Sequence, residues 1–260
     1  MLPCVLTIAG SDPCAGAGLQ ADLKTITALG GYGATVVTAI TVQNSVKVSQ
    51  VHPVEGSLVA AQMRAVLSDL PIKAIKLGML GNRGVVEAVL SVLDHYPEIP
   101  VVADTVLRGS AGGALLADED VAHFVQHLLP RCHLITPNLD EAQRLTGLEG
   151  GVGVADLESL AYRLMGLGCG GVVLTGGHLV GNKVVDTLVC KGGIKRWIGE
   201  KIASKEGFHG TGCTLASAVA LGVAKGLDDF EAVEEGIAYV RQTIRRSIKL
   251  GSGQRFLGHG

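Results

Sequence analysis

Short apolar segments alternate with amphipathic segments along the chain, and this alternation restricts the possible folds more than any other feature of the sequence. The apolar segments are rich in Val, Ile and Leu and end near Gly, Asp, Asn or Pro, which is typical of buried β-strands. We predict strands at 4–9, 34–41, 74–78, 101–104, 134–136, 172–175 and 184–189. We predict helices at 19–29, 57–68, 85–96, 120–129, 140–146, 157–167, 214–225 and 230–250.

Such alternation predicts a mainly parallel central sheet with helices on both faces, which is a three-layer α/β/α arrangement. No linker, repeat or low-complexity stretch interrupts the chain, so we predict one domain over residues 1–260. Aromatic residues make up 3% of the chain, so Val, Leu, Ile and Ala must build the core, as they do in buried parallel sheets. Ligands bind beyond the carboxyl ends of the strands in such sheets, so we expect the functional residues there.

Charge and cysteine usage argue against several classes of function. The net charge is −2 and no basic cluster is present, so we predict no nucleic-acid partner. No run approaches the roughly 18 apolar residues of a membrane span, so we predict no membrane partner. The six cysteines are scattered and form no CxxC pair, which predicts free thiols and a cytoplasmic location.

The most informative motif is HGTGCT at 209–214, which directly precedes a helix of small residues. Its two glycines allow neighbouring N–H groups to point the same way. A helix that begins at about Cys213 adds the positive end of its dipole, so together they predict an anion hole for a phosphoryl group. The helix terminus also predicts a lowered pKa for Cys213, which could then act as a base or as a polar orienting group. The alternative is an ordinary glycine-rich loop with a buried structural cysteine.

A second glycine-rich segment, GSDPCAGAGLQAD at 10–22, follows the first predicted strand and opens the first helix. Gly16 and Gly18 permit close approach of a ligand, and Asp12 offers a polar contact. The glycine spacing departs from the G-x-G-x-x-G fingerprint of dinucleotide-binding folds, so we predict the wall of a small-molecule pocket. The alternative is a tight strand-to-helix turn without a ligand.

Polar side chains follow other predicted strands. Asp104 closes one strand and Glu141 follows the next, so the two carboxylates could hold Mg²⁺ together with phosphate oxygens. Glu141 could instead be a helix N-terminal acid that the dipole favours. Gln43 offers the donor and acceptor that a pyrimidine edge requires, and Met79 could pack on a flat ring or simply fill the core.

Seven short blocks, each at a predicted strand end or turn, occur in a characteristic order. They are GSDPCAGAGLQADLK, TAITVQNS, KLGML, DTVL, TPNLDEA, GGHL and HGTGCTLASA, and they run from about residue 6 into the helix after residue 213. In this order they resemble the hydroxymethylpyrimidine/phosphomethylpyrimidine kinases of thiamine biosynthesis, a branch of the ribokinase-like fold. The resemblance implies a ribokinase-like three-layer α/β/α kinase domain that forms a homodimer.

The resemblance further implies ATP- and Mg²⁺-dependent phosphorylation of 4-amino-5-hydroxymethyl-2-methylpyrimidine and then of its monophosphate. Residues that match the family's blocks would then have the following roles. The pyrimidine pocket would be lined by Gly10, Ala17, Gln43, Met79 and Val106. Mg²⁺ would be held by Asp104 and Glu141. The catalytic anion hole would comprise Gly210, Thr211 and Gly212, and the catalytic Cys213 would stand where many ribokinase-like kinases have an aspartate base. The nucleotide would contact Asn138, Thr175 and His209.

The chain departs from the family pattern at two phosphate-contact positions. The family has a lysine before GGH, where this chain has Thr175. The family has another lysine after the DTVL block, where this chain has the stretch SAG at 110–112. Arg108 could substitute for the second lysine, although its spacing from the block differs. Loss of one such contact costs on the order of 10²–10³ in rate. Two alternatives therefore stay open. One is a pyridoxal kinase, whose substrate is also a flat ring with a hydroxymethyl arm, and the other is a pyrimidine-binding protein with weak or no kinase activity.

Overall fold

A computed structural model describes residues 2–107, 118–148, 153–178 and 181–260, and Arg108 and the stretch 110–112 lie outside these ranges. The strands are β1 (Cys4–Ser11), β2 (Tyr32–Gln43), β3 (Val48–Pro53), β4 (Ile72–Leu77), β5 (Val101–Ala103), β6 (Leu134–Ile135), β7 (Gly171–Leu174), β8 (Lys183–Cys190), β9 (Gly193–Glu200), β10 (Phe208–His209) and β11 (Arg255–Phe256). The helices are α1 (Gly18–Ala28), α2 (Gly56–Leu67), α3 (Arg83–Leu93), α4 (Asp118–His123), α5 (Leu139–Thr146), α6 (Leu157–Met165), α7 (Thr211–Lys225) and α8 (Asp229–Arg245).

The main sheet has the strand order β3-β2-β1-β4-β5-β6-β7-β8-β9, and β10 and β11 form a separate two-stranded sheet. Neighbouring strands from β2 to β7 in this order run parallel, which confirms the mainly parallel sheet. Strand β3 pairs antiparallel with β2, and β8 pairs antiparallel with both β7 and β9. The carboxyl ends of the parallel strands therefore meet at one edge of the sheet, together with the start of β8 and the end of β9.

Helices cover both faces of the sheet because successive residues of a strand point to opposite sides. Leu6 and Ile8 of β1 belong to a core cluster with residues of α2, α3, α5 and α6. Val5 points the other way and belongs to a cluster with residues of α1, α7 and α8. The predicted three-layer α/β/α arrangement is confirmed.

Strands β3 and β9, at the two edges of the main sheet, are absent from the sequence prediction. Neither strand contains a fully buried residue. An edge strand is covered less completely than a central one, so it lacks the continuous apolar run that identified the central strands. Edge strands are consequently the elements that hydrophobic patterning is least able to detect.

Two predicted helices differ from those observed. The helix predicted at 120–129 consists of α4, a π-helical turn at Phe124–Leu128 and a 3₁₀ turn at Leu129–Arg131. Pro130 lies in the 3₁₀ turn, and proline cannot continue an α-helical hydrogen-bond ladder. The helix predicted at 230–250 ends at Arg245, after which the chain turns back towards β11.

Two further expectations concern thiols and membranes. All six cysteines are free, as their spacing predicted. In the part of the chain that the structure describes, no helix combines the length and the apolar character that a membrane span requires.

A side-chain pair links the start of α8 to the segment before β6. Nε2 of His133 lies 2.7 Å from Oδ1 of Asp229. This hydrogen bond raises the pKa of His133 above its usual value, although burial acts in the opposite direction. A raised pKa in the folded state stabilises the protein below the unfolded-state pKa, and this stabilisation is lost as the pH rises through the folded-state pKa.

We expect the stability advantage of the wild type over His133→Gln to shrink as the pH rises from about 6 to about 9. Urea unfolding of both proteins across this range measures the difference in the free energy of unfolding. His95→Gln, which removes a surface histidine bonded to the carbonyl oxygen of Ser91, serves as the control. A difference between wild type and His133→Gln that does not change with pH would contradict the prediction.

Candidate active site

A cavity of about 1080 Å³ opens at the edge of the sheet where the parallel strands end. The residues to which the family resemblance assigns a role all line this cavity. These residues are Gly10, Ala17, Gln43, Met79, Asp104, Val106, Asn138, Glu141, Thr175, His209, Gly210, Thr211, Gly212 and Cys213. The fold therefore brings the separate sequence motifs to one place, as the rule for parallel sheets predicts.

The strand order distributes these residues along the cavity. Strands β1 and β2 lie at one end and carry Gly10 and Gln43. Strand β5 lies near the middle and is followed by Asp104. Beyond it, Asn138 and Thr175 follow β6 and β7 and form a parallel bridge with each other. The cavity thus runs from the predicted pyrimidine end at β1–β2 to the predicted nucleotide end at β6–β7.

A buried carboxylate organises the loop between β1 and α1. Oδ1 of Asp12 accepts a hydrogen bond from the N–H of Cys14 at 2.9 Å. Oδ2 accepts from the N–H groups of Gly16 and Ala17 at 3.0 and 2.9 Å. Burial by itself would raise the pKa of Asp12, but a hydrogen bond from His209 and those from the loop backbone hold it below its usual value. Asp12 is therefore a charged anchor for the loop that carries Ala17.

His209 lies at the β1–β2 end of the cavity, beside Asp12 and Gln43, although the sequence analysis expected it to contact the nucleotide. Its buried Nε2 lies 2.9 Å from Oδ2 of Asp12 and 3.0 Å from Nε2 of Gln43. The ring of Phe256 in the C-terminal strand β11 packs edge-on against the imidazole, with 6.0 Å between ring centroids. His209 consequently links the β1–α1 loop, the end of β2 and the C-terminal segment.

The two glycine-rich loops touch at Gly210. This residue has a φ of 86°, and a Cβ added to it would lie 1.9 Å from the carbonyl oxygen of Gly16. Gly18 is similar, because its φ is 57° and an added Cβ would lie 2.3 Å from the carbonyl oxygen of Gly10. Both positions require glycine because the backbone is left-handed and the neighbouring backbone is close. These contacts hold the HGTGCT loop against the pyrimidine end of the cavity.

Helix α7 begins at Thr211 rather than at Cys213, and its N-terminus faces the cavity. No side chain caps this end among the described residues. The N–H of Thr214 donates to the carbonyl oxygen of Gly210, which is the first bond of the helical ladder. The N–H groups of residues 211–213 precede that bond, so they can bind an anion, and the helix dipole favours negative charge there.

The prediction of a lowered pKa for Cys213 is wrong. Burial raises the pKa of this thiol well above its usual value, and the carboxylates of Asp104 and Asp22 add to the rise. Lys76 and the N–H of Gly18 oppose this shift without reversing it. The raised pKa favours a neutral thiol at Cys213, and it therefore favours the orienting role over that of a base. The sequence shows the helix terminus but not the acids that the fold places beside it.

Two carboxyl groups meet near the middle of the cavity. Asp104 is 6% exposed, and its Oδ2 has no hydrogen-bond partner within the described ranges. Burial raises the pKa of Glu141 to about 8, and the nearby Asp104 adds to the rise. Burial also raises the pKa of Asp104. The charge of Lys76 opposes the rise at Asp104 without reversing it, so two adjacent acids remain unfavourable and this place suits a further cation.

Glu141 also has the local role that the sequence left open. Its carboxylate accepts a hydrogen bond from the N–H of Asn138, and its own N–H donates to Oδ1 of Asn138, each at 3.0 Å. These reciprocal bonds form a capping box at the start of α5. The two interpretations of Glu141 are therefore compatible, since the capping box fixes the carboxyl group that faces Asp104.

A buried ion pair that the sequence analysis missed lies close to Asp104 and Cys213. Nζ of Lys76 lies 2.9 Å from both carboxylate oxygens of Asp22, and both side chains are fully buried. Hydroxyl groups of Thr7 and Ser217 donate further hydrogen bonds to the same carboxylate. The available signal was a lysine inside the apolar segment IKAIKL, since lysine is almost never fully buried unless it is paired.

The cavity continues past Thr175 to β8 and β9, beyond the region that the sequence analysis predicted. Asp186, Lys201 and Arg241 line this part. Oδ1 of Asp186 accepts a hydrogen bond from the N–H of Gly176 at 3.0 Å. These residues carry no recognisable motif, and β9 is one of the edge strands that patterning does not detect.

Comparison with known proteins agrees with this geometry. The family model described as phosphomethylpyrimidine kinase matches residues 12–257. The chain belongs to the phosphomethylpyrimidine kinase family. The resemblance drawn from the seven sequence blocks is confirmed, and the family match extends beyond the blocks to nearly the whole chain.

The similar proteins include named kinases and a bifunctional protein of thiamine biosynthesis. The hydroxymethylpyrimidine/phosphomethylpyrimidine kinase of Rhizobium meliloti is 41% identical over 254 residues, which cover 98% of this chain and 95% of that protein. The thiamine biosynthesis bifunctional protein ThiED of Geobacter sulfurreducens is 42% identical over 258 residues. That match covers 98% of this chain, but the chain spans only about half of the bifunctional relative, 52% of its length.

Among solved structures, the pyridoxal kinase from Staphylococcus aureus in complex with ADP has a TM-score of 0.91 and 32% sequence identity. The superposition covers 100% of this chain and 94% of that one. This likeness confirms the ribokinase-like fold that the sequence blocks implied.

Proposed function

We propose that this protein uses ATP to phosphorylate the hydroxymethyl group of 4-amino-5-hydroxymethyl-2-methylpyrimidine and then the resulting monophosphate. The observation that carries the proposal is the uncapped N-terminus of α7 in the middle of the cavity. On one side of it lies a wall of small and polar residues suited to a flat ring, and on the other side lies the Asn138–Thr175 bridge. The family and the named relatives support the pyrimidine as the substrate.

In this proposal the pyrimidine ring occupies the β1–β2 end of the cavity. Gly10, Ala17 and Val106 shape the wall, Met79 packs on the ring, and Gln43 bonds its polar edge. We reassign His209 from the nucleotide to this end, because it bonds Gln43 and Asp12 and therefore fixes their orientation. The nucleotide enters from the other end, with its phosphates near Asn138 and Thr175.

The hydroxymethyl oxygen then attacks the γ-phosphorus in line, and the bond from that phosphorus to the β,γ-bridging oxygen breaks, so that ADP leaves. The hydroxyl proton passes to an oxygen of the transferred phosphoryl group. The N–H groups of residues 211–213 stabilise the negative charge that develops on the transferred group, and the α7 dipole strengthens this effect. Phosphoryl transfer depends mainly on positioning and charge stabilisation. A neutral thiol at Cys213 therefore suffices to orient the reacting groups beside Asp104.

Mg²⁺ fits the chemistry of the two central acids. Oδ2 of Asp104 is buried without a hydrogen-bond partner in the described part of the chain, and Glu141 lies nearby. The two carboxylates do not form a complete metal site by themselves, since no group of three or more ligands occurs among the described residues. Mg²⁺ usually takes one or two carboxylates together with phosphate oxygens and water, and it would neutralise charge on the nucleotide.

Cys213 should react slowly with iodoacetamide, because the thiolate is the reactive form and burial raises the pKa of this thiol. At about pH 8 we expect alkylation at least roughly 10-fold slower than that of a cysteine in an unfolded peptide. Peptide mapping by mass spectrometry measures the rate at each cysteine. The urea-unfolded protein is the control, in which Cys213 should react like the others. If Cys213 were alkylated faster in the native protein than in the unfolded chain, its pKa would be lowered, as the helix terminus alone predicts, and the present prediction would be contradicted.

Pyridoxal phosphorylation is the second candidate, and the TM-score of 0.91 to a pyridoxal kinase favours it. An ADP-release assay with the free pyrimidine, its monophosphate and pyridoxal separates the two. We expect ADP formation with both pyrimidines and slower turnover of pyridoxal. Turnover of pyridoxal alone would make the chain a pyridoxal kinase. Binding of the pyrimidine at saturating ATP without ADP formation would indicate a binding protein.

We also propose a cytoplasmic location and a homodimer. The six free cysteines support a reducing compartment. The homodimer rests on the family resemblance, and sedimentation equilibrium would test it.

A further inference from the structure

Helix α8 presents one cation to the cavity in a row that is otherwise apolar. Ile237, Val240, Arg241 and Ile244 all line the cavity. Their spacing of three and four residues places them on one face of the helix. Three of these side chains suit the face of a flat ring, whereas the guanidinium group requires hydrogen-bond acceptors.

The guanidinium group is held in place by Gly199 of β9. A Cβ added to Gly199 would lie 2.2 Å from Nη1 of Arg241 and 2.4 Å from both Cζ and Nη2. The side chain of Arg241 therefore lies directly against the glycine Cα, in space that any other residue at 199 would fill. Because the three atoms nearest to such a Cβ all belong to the flexible side chain of Arg241, a larger residue at 199 would displace its guanidinium group.

One donor of Arg241 lacks an acceptor. Nη2 is buried and has no hydrogen-bond partner among the residues that the structure describes. The charge of Arg241 acts on the carboxylate of Asp186, whose Oδ1 already accepts from the N–H of Gly176. A buried charged donor without an acceptor is costly, so the position favours a ligand that supplies one.

Arg241 lies too far along the sheet to reach the transferred phosphate. Gly199 is on β9, which is four strands from β5, the strand that Asp104 follows. At the usual spacing of neighbouring strands, this corresponds to roughly 19 Å across the sheet. That separation exceeds the length of a triphosphate chain that begins beside Asp104. The part of the nucleotide at β8–β9 is therefore the nucleoside.

We propose that Arg241 is a nucleotide-specificity residue, which donates a hydrogen bond from Nη2 to an acceptor on the base or the ribose. The inference rests on the proposed kinase function, since it requires that the cavity binds a nucleotide. Gly199 keeps the guanidinium group in position, and the apolar row on α8 covers the ring beside it.

Arg241→Met keeps the apolar stem and removes the donors. We expect the KM for ATP to rise about 10-fold or more, because a hydrogen bond from a charged group is lost. The KM for the pyrimidine and the kcat at saturating ATP should stay unchanged. Arg245→Met, one turn further along α8 at an exposed position, is the matched control and should leave the KM for ATP unchanged. A KM for ATP within twofold of wild type in Arg241→Met, or a joint change of kcat and both KM values, would overturn the proposal.

Gly199→Ala tests the same contact from the other side. We expect it to raise the KM for ATP in the wild-type background and to have little further effect in the Arg241→Met background. Additive effects would show that the two residues act separately, which contradicts the proposal.

Three further ligands test the proposed contact in different ways. An effect of Arg241→Met that disappears with 2′-deoxy-ATP assigns the ribose 2′-hydroxyl, and one that persists excludes the 2′-hydroxyl and leaves the base and the other ribose oxygens. Inorganic tripolyphosphate, which has no nucleoside, should inhibit wild type and Arg241→Met equally, and weaker inhibition of the variant would overturn the proposal. Calorimetry with ADP separates this inference from the proposed function. If ADP does not bind to the wild type, the proposed kinase function is contradicted. If ADP binds with equal affinity to the wild type and to Arg241→Met, only the proposed role of Arg241 is contradicted.

Discussion

Replacing Lys76 with methionine is expected to lower the free energy of unfolding by about 3–5 kcal/mol. The substitution leaves the carboxylate of Asp22 fully buried without its counterion, although the hydroxyl groups of Thr7 and Ser217 still donate to it. An uncompensated charge in the interior costs far more than the loss of an exposed ion pair. Urea unfolding monitored by circular dichroism measures the change.

The double variant Asp22→Asn with Lys76→Met separates charge from packing. It removes both charges and keeps similar side-chain volumes, so we expect it to recover a large part of the lost stability. This comparison also stays informative if Lys76→Met is too unstable to purify. A double variant that is as unstable as the single one would contradict the assignment, since the loss would then arise from packing and not from an unpaired charge.

Gly210→Ala is expected to lower kcat by a factor on the order of 10²–10³, which is the effect of losing a hydrogen-bond donor that stabilises transition-state charge. The added Cβ would lie 1.9 Å from the carbonyl oxygen of Gly16, so the backbone at the start of α7 must move. Such a movement displaces the N–H groups of residues 211–213 from the phosphoryl group. Steady-state assays of ADP release measure the change.

Gly226→Ala is a closely matched control at the other end of the same helix. Gly226 has the same φ of 86°, but a Cβ added there meets no atom within 4 Å. Both variants therefore incur the strain of a left-handed alanine, about 1 kcal/mol, and only Gly210→Ala adds the clash. We expect Gly226→Ala to keep the wild-type kcat. Equal kcat values for the two variants would show that the Gly210–Gly16 contact does not position the anion hole.

These predictions differ in how much of their basis was visible in the sequence. Gly210 was identified as part of an anion hole from the HGTGCT segment, because a glycine-rich turn before a helix is a local pattern. The clash with Gly16 was not visible, since the two residues meet only when the sheet has formed. Lys76 was one lysine in an apolar strand, and its partner Asp22 lies on a different element.

Contacts between distant segments change the interpretation of Cys213 and His209. Cys213 was expected to have a lowered pKa because the helix dipole is a local effect that the sequence reveals. Burial and the acids that the fold brings near it raise the pKa instead. His209 was assigned to the nucleotide, whereas its imidazole lies against Asp12 and Gln43 at the β1–β2 end of the cavity.

The sequence by itself determined the alternation of strands and helices, the parallel sheet that follows from it, and the edge at which the functional motifs meet. These properties depend on the period of apolar residues and on turns of a few residues, which are local. The tertiary structure decided the ionisation of Cys213, the pairing of Lys76 and the exposure of Arg241 to the cavity. Each of these properties depends on desolvation and on partners from distant segments. Desolvation and such contacts are both established only when the layers pack together.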